Sequence, residues 1–219
     1  MRPVSVFRYD SFLSNCYVLD SEDGKGVIVV DPFISEELFD RIASSDPSEA
    51  LVVLTHEHFD HTTGVNEIKR RFGAKLVCSK ACSERISQKR NNRPLSIMGN
   101  ARLTELYGKV PLYECSADIV FDGPFELEWH GTKLRFTPTP GHSVGSVCIE
   151  IGDHIFAGDS ALLNERTVTR FPTGDQTDYD GKTVPFLLAL DPNTQVMPGH
   201  GEAYRISEVK WQDGCFRRS

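Results

Sequence analysis

Short apolar runs separated by polar turns dominate the first third of the chain. Val4 to Tyr9, Cys16 to Leu19 and Val27 to Val30 predict strands, the last two joined by the polar turn Ser21-Glu22-Asp23-Gly24-Lys25-Gly26. Asp31-Pro32 ends the third strand, because proline removes a ladder donor. Ser35 then fits a helix N-cap, with Glu36 and Glu37 in the first turn and Leu38 and Ile42 on one face, and Asp46-Pro47 closes that helix. The wholly apolar Leu51-Val52-Val53-Leu54 predicts a buried strand that runs straight into a polar cluster from Thr55 to Thr63. A helix over Val65 to Phe72 follows, with a basic last turn and Gly73 as its stop, and Lys75 to Cys78 is the next strand. Strands alternating with helices in this way predict a layered fold.

The pattern changes over residues 80–110, where Lys80, Arg85, Lys89, Arg90, Arg93, Arg102 and Lys109 face only Glu84 and Glu105. A helix, a break at Asn91-Asn92-Arg93-Pro94 and a second helical stretch are expected there. The segment reads either as a solvated helical face or as a basic lid or wall that attracts an anionic substrate. Strands return at Ile119–Phe121, Phe125–Trp129, Lys133–Thr137, Ser146–Ile151 and His154–Ala157. Leu162 to Asp180 reads as a long irregular loop, Thr183 to Leu190 as a helix, and Gln195 to Met197 as a last strand that delivers Pro198-Gly199-His200-Gly201. No linker or repeat interrupts the chain, so a single domain over residues 1–219 is the simplest organisation.

Composition narrows the classes. With 39% hydrophobic and 25% charged residues, a chain of 219 residues buries a substantial core without disulfides or a structural metal. The net charge of −7 argues against nucleic acid as a partner. No apolar run reaches the roughly 18–20 residues that span a bilayer, and the N-terminus lacks a signal-peptide pattern, so no membrane role and a cytoplasmic location are expected. The six cysteines are scattered without a Cys-x-x-Cys pair and read as reduced, packed thiols.

The candidate chemistry lies in the histidines. Three fall within His56-Glu57-His58-Phe59-Asp60-His61, directly after a predicted buried strand. In extended chain His56 and His58 project to one side, and a turn brings Asp60 and His61 to a neighbouring point. Imidazoles and a carboxylate so arranged can divide between two adjacent first-row divalent ions. His142, Asp159 and His200 each follow a strand in a loop of small residues, where ligand sites gather in layered folds. His130 and His154 lack such settings and read as ordinary surface or strand-end residues.

In order and spacing, His56, His58, Asp60, His61, His142, Asp159 and His200 resemble the metallo-β-lactamase-fold hydrolases, whose pattern is H-x-H-x-D-H followed by His, Asp and His. The resemblance covers about residues 4–206. It implies an α+β fold, an αββα sandwich of two mixed β-sheets flanked by helices. It also implies that His56, His58 and His142 hold a first metal, that Asp60, His61 and His200 hold a second, and that Asp159 bridges them. A hydroxide between the ions would be the nucleophile, with Asp60 taking a catalytic part beside its ligand role. Such a pair, roughly 3.5–4 Å apart, lowers the pKa of bound water and stabilises the tetrahedral oxyanion. Zinc is the default, and iron or manganese suit the same donors.

Within that family, true β-lactamases usually lack either the His at the position of His61 or the Asp at that of Asp159, and the oxygen-reducing flavodiiron branch carries Glu in place of His58. Nuclease branches add a large inserted domain or an RNA-gripping arm, for which this chain leaves little room. Pro198-Gly199-His200-Gly201 looks like the glyoxalase II (hydroxyacylglutathione hydrolase) type, but only 18 residues follow Gly201, too few for that family's glutathione-gripping C-terminal domain. Its Gly-Arg-Ser/Thr-Asp loop is also broken, reading Thr167-Val168-Thr169-Arg170-Phe171-Pro172 here. The expectation is a dinuclear-metal hydrolase of a small-molecule thioester or related acyl bond. Lactone or phosphodiester hydrolysis at the same site is the alternative, and a non-catalytic metal module or metal-dependent redox protein stands behind both. Arg93, Arg102, Arg170 and Tyr179 are the candidate substrate contacts, Tyr179 as a possible general acid. Oligomeric state is not legible.

Overall fold

The computed structural model describes residues 3–92 and 112–218. Strands β1 (Ser5–Arg8), β2 (Asn15–Asp20), β3 (Gly26–Val30), β4 (Glu49–Val53), β5 (Lys75–Ser79) and β6 (Ile119–Phe121) form one sheet in sequence order. It is antiparallel from β1 to β3 and parallel from β3 to β6. The second sheet holds β7 (Phe125–Trp129), β8 (Thr132–Pro138), β9 (Val147–Ile151), β10 (His154–Gly158), β11 (Gln195–Pro198) and β12 (Tyr204–Arg205), in reverse order across the sheet. Only its β10–β11 pair is parallel.

The strands of the first sheet are apolar on both faces because both faces are covered. Cys16, Val18, Val27, Val29, Val52, Leu76 and Cys78 pack beneath helices α1 (Glu36–Ser44), α2 (Val65–Phe72) and α3 (Lys80–Ile86). Their neighbours in the alternation, Tyr17, Leu19, Ile28, Val30, Leu51, Val53 and Val77, meet Leu134, Phe136, Ile149, Phe156 and Met197 of the second sheet. A third apolar cluster, with Ile155, Val196, Tyr204 and Phe216, lies under α4 (Val184–Leu188) and the hairpin of β13 (Val209–Gln212) and β14 (Cys215–Arg218). Two mixed sheets between helical layers make the expected αββα sandwich. Ser35 caps α1 by accepting from the Leu38 N–H, and Ser79 caps α3 by accepting from the Cys82 N–H.

Two local expectations need correction. The loop expected over Leu162 to Asp180 ends early, because a helical turn at Gln176–Asp178, capped by Asp175, passes through a π-helical turn at Tyr179–Thr183 into α4. The β13–β14 hairpin was not foreseen. The expected second helical stretch beyond the Asn91–Pro94 break lies outside the described residues. All six cysteines are buried and unpaired. Among the described residues no helix is long and apolar enough to cross a membrane.

Strands β8, β10 and β11 run in one direction, so their C-terminal ends open at a single edge of the second sheet. The chain leaving β4 reaches the same edge, where the Val147 N–H donates to the Thr55 carbonyl at 2.8 Å. That edge gathers the candidate chemistry.

Candidate metal centre

The polar cluster after β4 leaves the sheet through Asp31, which sits at the end of the parallel neighbour β3 with φ of 53°. Asp31 is buried, and its carboxylate accepts from the Thr55 N–H at 2.8 Å and the Thr55 hydroxyl at 2.5 Å. Thr55 thereby presents His56, Glu57 and His58, and a 3₁₀ turn at Phe59–His61 swings Asp60 and His61 round. His142 arrives on the loop after β8, Asp159 directly after β10, and His200 two residues beyond β11. The His200 loop is pinned from β2: the Tyr17 hydroxyl and the Asn15 amide both donate to the Pro198 carbonyl, at 2.5 and 3.0 Å. Gly199 is required by close approach, since a Cβ there would fall on Asp159 Oδ1.

The donor atoms of His56, His58 and His142 all lie within 4.8 Å of one another, and so do those of Asp60, His61 and His200. Asp159 faces both groups. Its Oδ2 is 3.5 Å from His142 Nε2 and 3.5 Å from His200 Nε2, and its Oδ1 is 3.6 Å from His61 Nε2. Asp60 Oδ2 lies 3.5 Å from the Nε2 atoms of both His61 and His200. The seven residues singled out from the sequence are thus brought together.

The hydrogen bonds behind the rings fix which nitrogen points inward. The Val168 carbonyl can only accept, so His142 Nδ1 carries the proton in their 2.8 Å bond and Nε2 is bare. The Thr55 hydroxyl already donates to Asp31, so it accepts from His56 Nδ1 at 3.0 Å, and His56 Nε2 is bare as well. His61 Nδ1 turns to Asp31 Oδ2 at 3.2 Å. The buried atoms His56 Nε2, His61 Nε2 and Asp159 Oδ1 have no hydrogen-bond partner. Unpartnered buried polar atoms converging on one space are costly unless an ion or a proton satisfies them. Backing of this kind is how metal-ligating histidines are oriented, so the donor set fits a pair of divalent ions. Asp31, His56 and His61 also form a compact group, but the Asp31 oxygens are taken up behind the rings and serve as their brace.

Charge divides the two triads. Burial, reinforced by the neighbouring histidines, holds His56 far below the ordinary imidazole range and pulls His58 down to about 3. His61 behaves in the opposite sense: burial opposes its cation, but Asp60, Asp31 and Asp159 prevail and push it up to about 9. His200 is raised to about 11, Asp159 and Asp60 again outweighing burial. Asp60 and Asp159 titrate below the usual carboxylate range despite burial, held there mainly by His61 and His200 respectively.

The substrate contacts expected from sequence fare differently. Tyr179 is turned away: its buried hydroxyl donates to the Ser160 carbonyl at 2.9 Å, lies 3.1 Å from Thr167 Oγ1, and is pushed up to about 12, chiefly by burial. It braces the loop after Asp159 and offers no proton to a substrate, which corrects the expectation of a general acid. Arg170 stands exposed on that loop, and Arg93 and Arg102 lie outside the described residues. Of the basic segment, Arg85 points inward to an ion pair with Glu57 at 3.2 Å. His130 pairs with Asp23 at 2.9 Å and His154 with Asp153 at 3.1 Å, both apart from the donor set.

Two residues at the centre were missed. Asp31 was read only as a strand end, although a non-glycine residue with positive φ marks it in the structure. Phe171 sets its ring edge-on to His58 and His142, with centroids 5.7 and 5.9 Å away, and walls the first triad. Asp31→Asn is expected to weaken metal binding at the His61 triad by about 10–100-fold, because the amide turns a donor on Thr55 or His61. Chelator competition measures this, and unchanged affinity would reduce Asp31 to a backbone brace.

The family profile described as the Metallo-beta-lactamase superfamily matches residues 9–200. The chain belongs to the metallo-beta-lactamase superfamily. Among its relatives in this superfamily is the probable polyketide biosynthesis zinc-dependent hydrolase BaeB of Bacillus velezensis, 21% identical over 88% of this chain and 75% of that protein. The hydroxyacylglutathione hydrolase of Shewanella halifaxensis is 26% identical over 84% of this chain and 60% of that protein. The crystal structure of the BLEG-1 B3 metallo-beta-lactamase shares the fold, with a TM-score of 0.80 and 23% identity over 94% of this chain and 95% of that one.

Proposed function

We propose that this superfamily member is a glyoxalase II-like, dinuclear-metal hydrolase of a thioester or related acyl bond. The observation that carries the reading is the placement of Asp159 between two complete triads while Tyr179, the expected acid, is committed to Ser160. A thiolate leaves without being protonated, so a site whose acid candidate is turned away suits a thioester best. The hydroxyacylglutathione hydrolase relative supports the same bond type, and BaeB's description as zinc-dependent supports zinc.

In this reading His56, His58 and His142 would hold one ion, Asp60, His61 and His200 the other, and Asp159 would serve both. Bound there, the ions supply a nucleophilic water and polarise the acyl oxygen. The chain's own groups do the rest. Asp31 and the Val168 carbonyl keep the ligand rings in register. Asp60 stays ionised, and its Oδ2, 3.5 Å from the Nε2 atoms of His61 and His200, would orient the attacking water from its ligand position. The Phe171 edge keeps bulk water from the first triad. One domain over residues 1–219, cytoplasmic and acting on a small molecule rather than on nucleic acid or membrane, completes the proposal and accords with the net charge of −7.

The test is a panel of S-lactoylglutathione and short acyl-CoAs with zinc-loaded protein, beside a lactone, bis-p-nitrophenyl phosphate and a His58→Ala control. Thioester turnover that disappears in the control is expected. Turnover confined to the lactone or the phosphodiester would replace the substrate class and leave the metal centre standing.

A further inference from the structure

Glu57 separates the first two histidines of the motif, yet its side chain leaves the donor set and buries itself on the opposite side, 3% exposed. A buried carboxylate is costly unless every oxygen is engaged. Here the partners come from three separate segments. Ser143, next to His142, donates its hydroxyl to Oε2 at 2.8 Å. Thr173, two residues after Phe171, donates to Oε1 at 3.3 Å. Arg85 of α3 brings Nε to 3.2 Å from Oε1, an ion pair whose angle falls short of a hydrogen bond.

Two features show the surroundings shaped around this carboxylate. Thr173 has φ of 77°, a left-handed conformation that a β-branched residue rarely adopts, and in it one hydroxyl reaches both Glu57 and, at 3.5 Å, the Val144 N–H. Gly145 passes so close that a Cβ would fall on Glu57 Oε2. Strain and a shaved backbone on two loops meet at one buried charge.

Resting on the metal-centre reading, we propose that Glu57 is a positioning residue that sets the first triad and its wall as a unit. Its backbone is continuous with His56 and His58. Through Ser143 its carboxylate sets where His142 stands, with Nε2 2.9 Å from His58 Nδ1. Through Thr173 it sets the loop whose Phe171 ring lies against both His58 and His142. Among the described residues the Glu57 carboxylate bonds to Ser143 and Thr173 and pairs with Arg85, whereas the second triad is braced by Asp31, Tyr17 and Asn15. The supports overlap only at His56, which Asp31 holds through Thr55; the His142 position and the Phe171 wall of the first triad are built on Glu57.

The test compares wild type with Glu57→Gln and Ser143→Ala. Zinc affinity of each site is measured by chelator competition, the cobalt(II) absorption spectrum is recorded, and the metal-free Tm reports folding. Ser143→Ala removes the link to His142 and keeps the Glu57–Arg85 pair, so it separates positioning from a purely structural ion pair. Both variants are expected to lose about 10–100-fold in affinity at one site, with a shifted cobalt spectrum, while the other site is unchanged. A Ser143→Ala protein with wild-type Tm that binds both ions as tightly as wild type overturns the proposal. Equal weakening of both sites in Glu57→Gln also overturns it, since that is general destabilisation. Wild-type protein that binds no zinc removes this proposal together with the metal centre, whereas zinc binding without thioester turnover affects only the substrate class.

Discussion

Asp159→Ala is expected to abolish turnover to at least about a 10³-fold loss in kcat and to lower the bound metal from two ions per chain to one. Asp159 is the only residue of the donor set whose carboxylate lies within 3.6 Å of ring nitrogens from both triads, namely His61, His142 and His200. Its Oδ1 is buried without a hydrogen-bond partner and faces His61 Nε2 at 3.6 Å, a setting that suits a positive charge between the triads. In the proposed two-ion reading, removing it would leave each triad one anionic donor short and sever the link between the ions. The loss in rate of at least about 10³ corresponds to about 4 kcal/mol of transition-state stabilisation, within what two-ion sites supply. Steady-state rates on the best substrate of the panel, with metal analysis of the same preparation, measure both effects. An alanine variant that retains two ions and full turnover would remove Asp159 from the centre.

The second large effect is a difference in pH dependence between the triads. With no cation between them, His61 titrates at about 9 and His200 at about 11, so both carry protons at pH 7. An ion entering the Asp60–His61–His200 group must displace these protons. Its affinity is therefore lowest in acid and rises as pH climbs through the folded-state values of the two rings. Between pH 7 and 9 two protons compete, which gives up to about a 100-fold gain in affinity per pH unit. His56 and His58 are held neutral by burial and by their neighbours, His58 to about 3, so filling their triad releases no proton from either. Calorimetric zinc titrations in buffers of different ionisation enthalpy are expected to show a first ion that takes no proton from His56 or His58 and a second that releases about two protons at pH 7. Two ions with the same proton release would contradict the electrostatic division.

How much of this was legible in the sequence depends on the distance over which each feature is determined. The alternation of Cys16 to Leu19 and Val27 to Val30, apolar on both faces, carries the buried sheet in local pattern alone. His56 to His61 announce the centre because four donors fall within one strand end and one turn. Asp31 acts on Thr55, 24 residues away, and only the parallel β3–β4 pairing brings them together. Tyr179 was given to the substrate because a loop hydroxyl has no direction in sequence. Packing beneath Gly141 aims it at Ser160. Phe171 reaches the centre through a loop whose Thr173 is anchored to Glu57, 116 residues earlier. The β13–β14 hairpin is a different case, since Asp213-Gly214, with φ of 52° and 80°, is a two-residue turn signal that was present in the sequence and passed over.

The central claim is that seven side chains from four strand ends hold two ions sharing Asp159. Zinc titration of metal-stripped wild-type protein, read as bound ions per chain, tests it most directly. The account predicts two ions per chain, the first filling without proton release from His56 or His58 and the second steeply favoured as pH rises from 7 to 9. A single ion per chain at saturation, or none, would contradict it.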